Sequence, residues 1–399
     1  MTPTLFLALA LGAAPPTFHN LEVTVVNDPP GRSAWPAGDG WVGFAFDLVE
    51  RREGPCCWHG HGSRKGRRGC HLTSRDRGFV EDSGTRRLSE RAYFLGRIEA
   101  GTVVEATVVA EHCPLTGNGE AVRWLATDNA HERLSRLTRT GSRRVASTAL
   151  HGLAVLDGDG VTDELQTLAV DPPHRDVGRG AVFWLGEARG DRGLDALDEL
   201  LRELPPGGRR EAINHALHAN GTPGATRRLQ RIATDDPVRE QRNDAVFWLA
   251  QDDDPATLEA TAALIGDLLD DVDPDADASL FALSEIDLPA ATALLERTAQ
   301  EHGEPRVRQE ALFWLAQAAP ERGRELAVAQ IHATAPGSRA QEAAFTALMQ
   351  LPDGMGTGAL IELARSPGPR ETRRQAFFWL AHSDDPQAVA ALTEMLEKR

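Results

Sequence analysis

The residues most able to do chemistry crowd into one short stretch. Cys56, Cys57, His59, His61, Cys70 and His71 fall within sixteen residues, and the last cysteine of the chain, Cys113, follows later. Thiolates and imidazoles together are zinc ligands. The spacing is not a pair of CxxC knuckles, however, and the loop between, Gly60–Gly69, is basic, which disfavours a bound cation. An even number of cysteines in one small region reads better as two disulfides. Adjacent cysteines rarely bond each other, so one of Cys56 and Cys57 is expected to pair with Cys70 and the other with Cys113. Each bridge would restrict the unfolded chain by about 2–4 kcal/mol. A metal- or redox-active Cys/His region, with the rest of the chain recruiting a substrate, is the alternative. Nothing in the spacing orders a base against a thiol nucleophile, so a catalytic cysteine is not expected.

A second group is smaller. In Ile213-Asn214-His215-Ala216-Leu217-His218 two histidines stand three apart, where they can share a helix face. Two ligands fall short of a zinc set, and the group reads as a candidate interaction surface. The acidic run Asp267, Asp270, Asp271, Asp273, Asp275, Asp277 lacks the glycine and the closing glutamate of a calcium loop, and Asp157-Gly158-Asp159-Gly160 with Asp163 is equally incomplete. Both read as turns and helix caps. No G-x-S-x-G, H-E-x-x-H or dinucleotide fingerprint occurs. No catalytic residue and no cofactor are expected.

These groups must be positioned by two different kinds of chain. Residues 18–115 hold all four cysteines and alternate with period two: Leu21, Val23 and Val25; Val42, Phe44 and Phe46; Val104, Ala106, Val108 and Ala110. Breakers such as Asp28-Pro29-Pro30-Gly31 separate them, which predicts a small β-rich domain. Its middle is basic, with twelve Arg and Lys against seven Asp and Glu over residues 50–99. Ahead of it, the apolar run Leu5–Ala14 is too short to span a bilayer and fits the apolar core of a signal peptide over residues 1–17. The expected location is therefore periplasmic or secreted.

The remainder is periodic. Ala181-Val182-Phe183-Trp184-Leu185-Gly186 returns as Ala245–Ala250, Ala311–Ala316 and Ala376–Ala381, with the tryptophans Trp184, Trp248, Trp314 and Trp379 spaced by 64, 66 and 65 residues. Weaker copies lie between, with Gly152, Ala216, Ala282 and Ala347 in the Trp place. With Trp124 of Ala121–Ala126 counted first, nine markers run from 124 to 379; the first step is 28 residues and the others 32 to 34. A proline often follows seven residues after the marker, at Pro223, Pro255, Pro289 and Pro386. Each unit then reads as a marker helix, a turn, and an Ala/Leu-rich helix, and stacked units bury their faces against neighbours. Alternating Trp with a small residue suits dense packing between repeats, so Trp124, Trp184, Trp248, Trp314 and Trp379 are expected to be core. A row of exposed indoles is the alternative.

Asp236-Pro237-Val238-Arg239 and Pro305-Arg306-Val307-Arg308, set in units of about 32 residues, resemble the short HEAT-like repeats of the armadillo/HEAT superfamily, of the phycobilisome-lyase type. The resemblance covers about residues 119–399 and implies an α-solenoid whose marker helices line the concave side. The fold class expected is thus mainly α, with about nine repeats after the β-rich domain. A lyase-like role in cofactor or chromophore attachment follows from family analogy alone, and no cysteine lies in the repeats to hold a bilin.

Charge narrows the partner. With 43 Lys and Arg against 59 Asp and Glu, the formal charge is −16, which argues against nucleic-acid binding. The expectation is a non-catalytic, exported scaffold that binds another protein along the solenoid and has no membrane span.

Overall fold

The alternating runs of the first domain pair as the period predicts. In a computed structural model, which describes residues 18–28, 34–53, 57–58, 70–72, 88–113, 115–117, 119–270 and 276–397, nine strands precede seventeen helices among the described residues. The strands are β1 (Phe18–His19), β2 (Glu22–Asp28), β3 (Gly40–Glu53), β4 (Cys57–Trp58), β5 (Cys70–His71), β6 (Leu88–Glu99), β7 (Thr102–Ala110), β8 (Leu115–Thr116) and β9 (Ala121–Thr127). One sheet has the order β2-β9-β3-β6-β7-β4 and a small one β1-β8-β5. The chain divides into two units, Met1–Ala225 and Thr226–Arg399.

The sheet corrects the expected start of the repeats. Ala121–Ala126 is not a repeat helix but most of β9, paired in parallel with β2 on one side and with Trp41–Gly43 of β3 on the other. Trp124 is fully buried, its ring edge-on to Tyr93 at 5.5 Å and to Phe18 at 5.9 Å. Gly43 makes room for it: a Cβ there would lie 2.8 Å from the indole. Arg123, alternating outward, donates hydrogen bonds to the carbonyls of Pro36, Ala37 and Gly38. The β-rich region therefore runs to residue 127 instead of 115, and Trp124 is core of the sheet domain rather than of a repeat.

Helices begin at α1 (Ala130–Thr140). In the first unit α2 (Arg143–Val155), α3 (Val161–Val170), α4 (Arg175–Ala188), α5 (Gly190–Glu203) and α6 (Gly208–Asn220) follow. Next come α7 (Pro223–Asp235), α8 (Arg239–Ala250), α9 (Pro255–Asp270), α10 (Ala276–Ser284), α11 (Pro289–Glu301), α12 (Pro305–Ala318) and α13 (Pro320–Ala333). The last are α14 (Arg339–Met349), α15 (Met355–Arg365), α16 (Arg370–Ala381) and α17 (Pro386–Glu397). Every marker from 152 to 379 falls in an even-numbered helix, so eight pairs follow α1 rather than nine. Pro223, Pro255, Pro289 and Pro386 each open the second helix of a pair, where a missing N–H costs nothing and the fixed φ suits the first turn.

The two kinds of structure join within the first unit. Gly152, at the first helical marker, lets Leu134 of α1 and Val108 of β7 close on α2; a Cβ there would sit 3.1 Å from Leu134 and 3.4 Å from Val108. Asp28 at the end of β2 holds Arg133 of α1 through two hydrogen bonds of 2.6 and 3.0 Å, both side chains being buried. The Arg133 guanidinium also lies 4.6 Å over the Trp35 ring. The sheet thus covers the apolar end that the first repeat would otherwise expose, as a terminal cap must.

The described helices are therefore paired in stacked two-helix repeats that follow a small β-rich domain. Residues 1–17, Cys56, His59, His61 and Asp271, Asp273 and Asp275 lie outside the described residues, as do the side chains of Cys57, Cys70 and His71.

Candidate functional site

The marker helices bury one face and leave an edge. In α8, Ala245, Val246, Leu249 and Ala250 are buried, while Phe247 and Trp248 are half-buried. The same division holds in α12, where Ala311, Leu312, Leu315 and Ala316 are buried and Phe313 and Trp314 are half-buried. A helix that is apolar nearly all round has more apolar surface than two neighbouring helices can cover, and the excess falls on the marker and the residue before it.

That excess forms a continuous aromatic edge in the second unit. Phe247 stacks on Phe281 of α10 with ring centroids 6.1 Å apart and planes within 6°. Phe281 meets Trp314 at 5.1 Å, and Trp314 meets Phe313 at 4.9 Å. Trp248 lies edge-on to Phe247 at 5.2 Å. The run is interrupted at exposed Thr346 of α14 and resumes in α16, where Phe378 is 54% exposed and packs on His382 at 4.2 Å. The first unit has a shorter edge of the same kind: His151 on Trp184 at 4.6 Å, Trp184 on Phe183 at 5.1 Å, and Phe183 on His215 at 5.2 Å.

The expectation that every marker tryptophan is core thus holds for some and not others. Trp184 is 7% exposed. Trp248, Trp314 and Trp379 are half-buried. Phe recurs one position before the marker, at 183, 247, 281, 313 and 378, and this recurrence is the signal for the edge in the sequence.

The candidate surface at Asn214, His215 and His218 separates. Asn214 is fully buried in α6 and cannot contact a partner, which corrects that assignment: it stands where the other marker helices bury an apolar side chain. His215 is exposed and His218 half-buried. His215 occupies the phenylalanine place on the edge; burial, His218 and Arg179 all hold its pKa below the ordinary histidine value.

One charged group borders the edge in the second unit. Asp277 of α10 and Glu310 of α12 stand one repeat apart, with Arg306 3.8 Å from Asp277 and 3.7 Å from Glu310. Burial, and then the neighbouring Asp277 carboxyl, push Glu310 up to about 7 against the opposing charge of Arg306. Glu310 Oε2 is buried without a hydrogen-bond partner, a cost that is smaller for the protonated carboxyl than for the carboxylate. The sequence signal for this pair is the 33-residue separation, one repeat length; only Asp277 belongs to the acidic run.

In the sheet domain, Cys113 is 1% exposed, and among the described residues there is no free cysteine. The backbone register sets Cys57 opposite Val109 and Cys70 opposite Leu115, so both segments flank the turn that carries Cys113. Among the described residues no group of three His, Cys, Asp or Glu side chains is placed to hold a metal ion. No described helix is long and apolar enough to cross a membrane.

No family model matches the chain, and no curated protein matches its sequence. Solved structures with overlapping folds include the CpcE–CpcF complex of phycocyanin lyase from Nostoc sp. PCC7120, at 20% identity over 59% of this chain and 94% of that one, with a TM-score of 0.28. Human deoxyhypusine hydroxylase in complex with glycerol overlaps at 20% identity over 63% and 96%, with a TM-score of 0.26. The Pds5–Scc1 complex overlaps at 13% identity over 67% and 52%, with a TM-score of 0.33. Similarity this distant says nothing of activity or partner, and the solenoid assignment stands on the helix pairs and their period.

Proposed function

We propose that the protein is a non-catalytic, exported interaction scaffold that binds a partner protein along the marker-helix edge of its second unit. The observation that carries the reading is the continuous half-buried run Phe247, Phe281, Trp314 and Phe313. Rings held by stacked helices lose little entropy on binding, and anchored aromatics make strong contact points. The Asp277–Glu310–Arg306 group beside them supplies polar contacts that could fix the register of a bound chain.

The test compares capture by the intact protein with capture by a Phe281→Ser, Trp314→Ser variant and by Glu259→Ala, a substitution on exposed surface of α9. The reading expects one partner that is retained by the wild type and the Glu259 variant and lost from the edge variant, with unchanged circular dichroism. Equal capture by all three would remove the edge from the reading.

Export and the two disulfides belong to the same proposal. Their support is the apolar run Leu5–Ala14, the burial of Cys113, and the register that sets Cys57 and Cys70 beside its turn. Intact mass of the protein from its producing organism, with thiol alkylation under non-reducing conditions, tests both. A shortened N-terminus with four unreactive cysteines is expected; a full-length chain with reactive thiols contradicts it.

A further inference from the structure

An open cleft of about 760 Å³ lies among the last three helices, α15, α16 and α17. Its lining carries four arginines, Arg365, Arg370, Arg373 and Arg374, against the single carboxylate of Glu394, with Phe377 and Met395 providing apolar surface. Two of the arginines are committed: Arg365 reaches Glu394 at 2.5 Å across α15 and α17, and Arg374 pairs with Glu371 within α16. Arg370 and Arg373 are exposed and have no carboxylate partner among the described residues. The first turn of α16 has no side-chain cap, so its N–H groups add to the positive end of the cleft.

This local excess runs against the charge of the whole chain, which is −16. Uncompensated arginines repel one another, and a cleft concentrates their field. The planar guanidinium fork matches a carboxylate with two parallel hydrogen bonds. An extended polyphosphate matches the cleft less well, because it has no apolar group to lie against Phe377 and Met395. A peptide fits better: side-chain carboxylates can meet Arg370 and Arg373, an apolar side chain can lie between Phe377 and Met395, and a peptide N–H can donate to Glu394.

We propose that this cleft is a second docking site, for an acidic segment of a partner protein in which an apolar residue is flanked by carboxylates. It goes beyond the aromatic-edge reading and does not depend on it.

The experiment is fluorescence anisotropy on the full chain with a fluorescein-labelled Glu-Glu-Leu-Glu-Glu peptide, its Gln-Gln-Leu-Gln-Gln counterpart, and an oligothymidylate as a phosphate polyanion. Saturable binding of the glutamate peptide is expected, weakened by added salt and at least about tenfold by Arg370→Ala with Arg373→Ala, a loss near 1.4 kcal/mol. The glutamine peptide should bind far more weakly. No binding of the glutamate peptide, binding indifferent to the double substitution, or stronger binding of the oligothymidylate would overturn the proposal. Peptide binding retained in the Phe281→Ser, Trp314→Ser variant supports a separate site; loss there overturns it.

Discussion

Ala121–Ala126 and Ala181–Gly186 differ at two of six positions, yet one is a central strand and the other a helix. The difference is not in the apolar residues they share. Arg123 stands where the helix has Phe183, so in the first hexad the apolar residues Val122, Trp124 and Ala126 alternate around a polar one. β2 and β3 pair with that hexad on both sides, and Gly43 leaves space for the indole. Around Trp184 the neighbours are helices, and its ring packs on His151 of the preceding marker helix. An apolar hexad of this kind is compatible with either state, and tertiary partners decide.

The comparison can be broken most severely at the joint between sheet and helices. Arg133→Ala leaves Asp28 buried without its ion pair and should destabilise the first unit by about 3–5 kcal/mol, as measured by chemical denaturation. Trp124→Ala and Trp184→Ala remove fully packed indoles and should each cost about 3–5 kcal/mol. Trp314→Ala, a side chain already half-buried, should cost roughly half as much. Equal losses at Trp184 and Trp314 would mean that the edge is buried core.

Arg123→Phe makes the first hexad read more like its helical copies. It should remain a strand with unchanged circular dichroism, and lose about 1–2 kcal/mol with the hydrogen bonds to the 36–38 turn. A gain in helix content would mean that the hexad itself, and not its neighbours, selects the structure.

A further effect concerns pH. The fold raises Glu310 from 4.5 to about 7, so across that window the folded state holds a proton that the unfolded chain has released. Stability should fall as pH rises from about 4.5 to about 7 and be fully regained below 4.5. Glu310→Gln should flatten the thermal-melting profile in that window; an unchanged profile would show that the fold does not raise the Glu310 carboxyl.

The solenoid was legible because its marker recurs at one spacing and because proline opens the second helix of several pairs. The false first repeat was legible too: its 28-residue step is shorter than every other, and Arg123 interrupts its apolar run. What the sequence could not convey is how much of each apolar helix its neighbours cover. The aromatic edge arises because Phe281 and Phe313 sit one position before the marker, and Asn214 is buried beside exposed His215 because it holds the position two before the marker, which Val182, Val246 and Leu312 also bury. The Asp277–Glu310 pair was hidden in the same way, by a contact between successive repeats.

The most direct measurement is site-specific photocrosslinking in the producing organism, with a benzophenone amino acid at position 281 on the aromatic edge and, separately, at position 259 on exposed α9 surface. A discrete covalent adduct at 281 that is absent at 259, and is abolished by Trp314→Ala in the same chain, is the expected result. An adduct of equal yield at 259, or none at 281 while the protein is still recovered in a complex, would contradict binding along the edge.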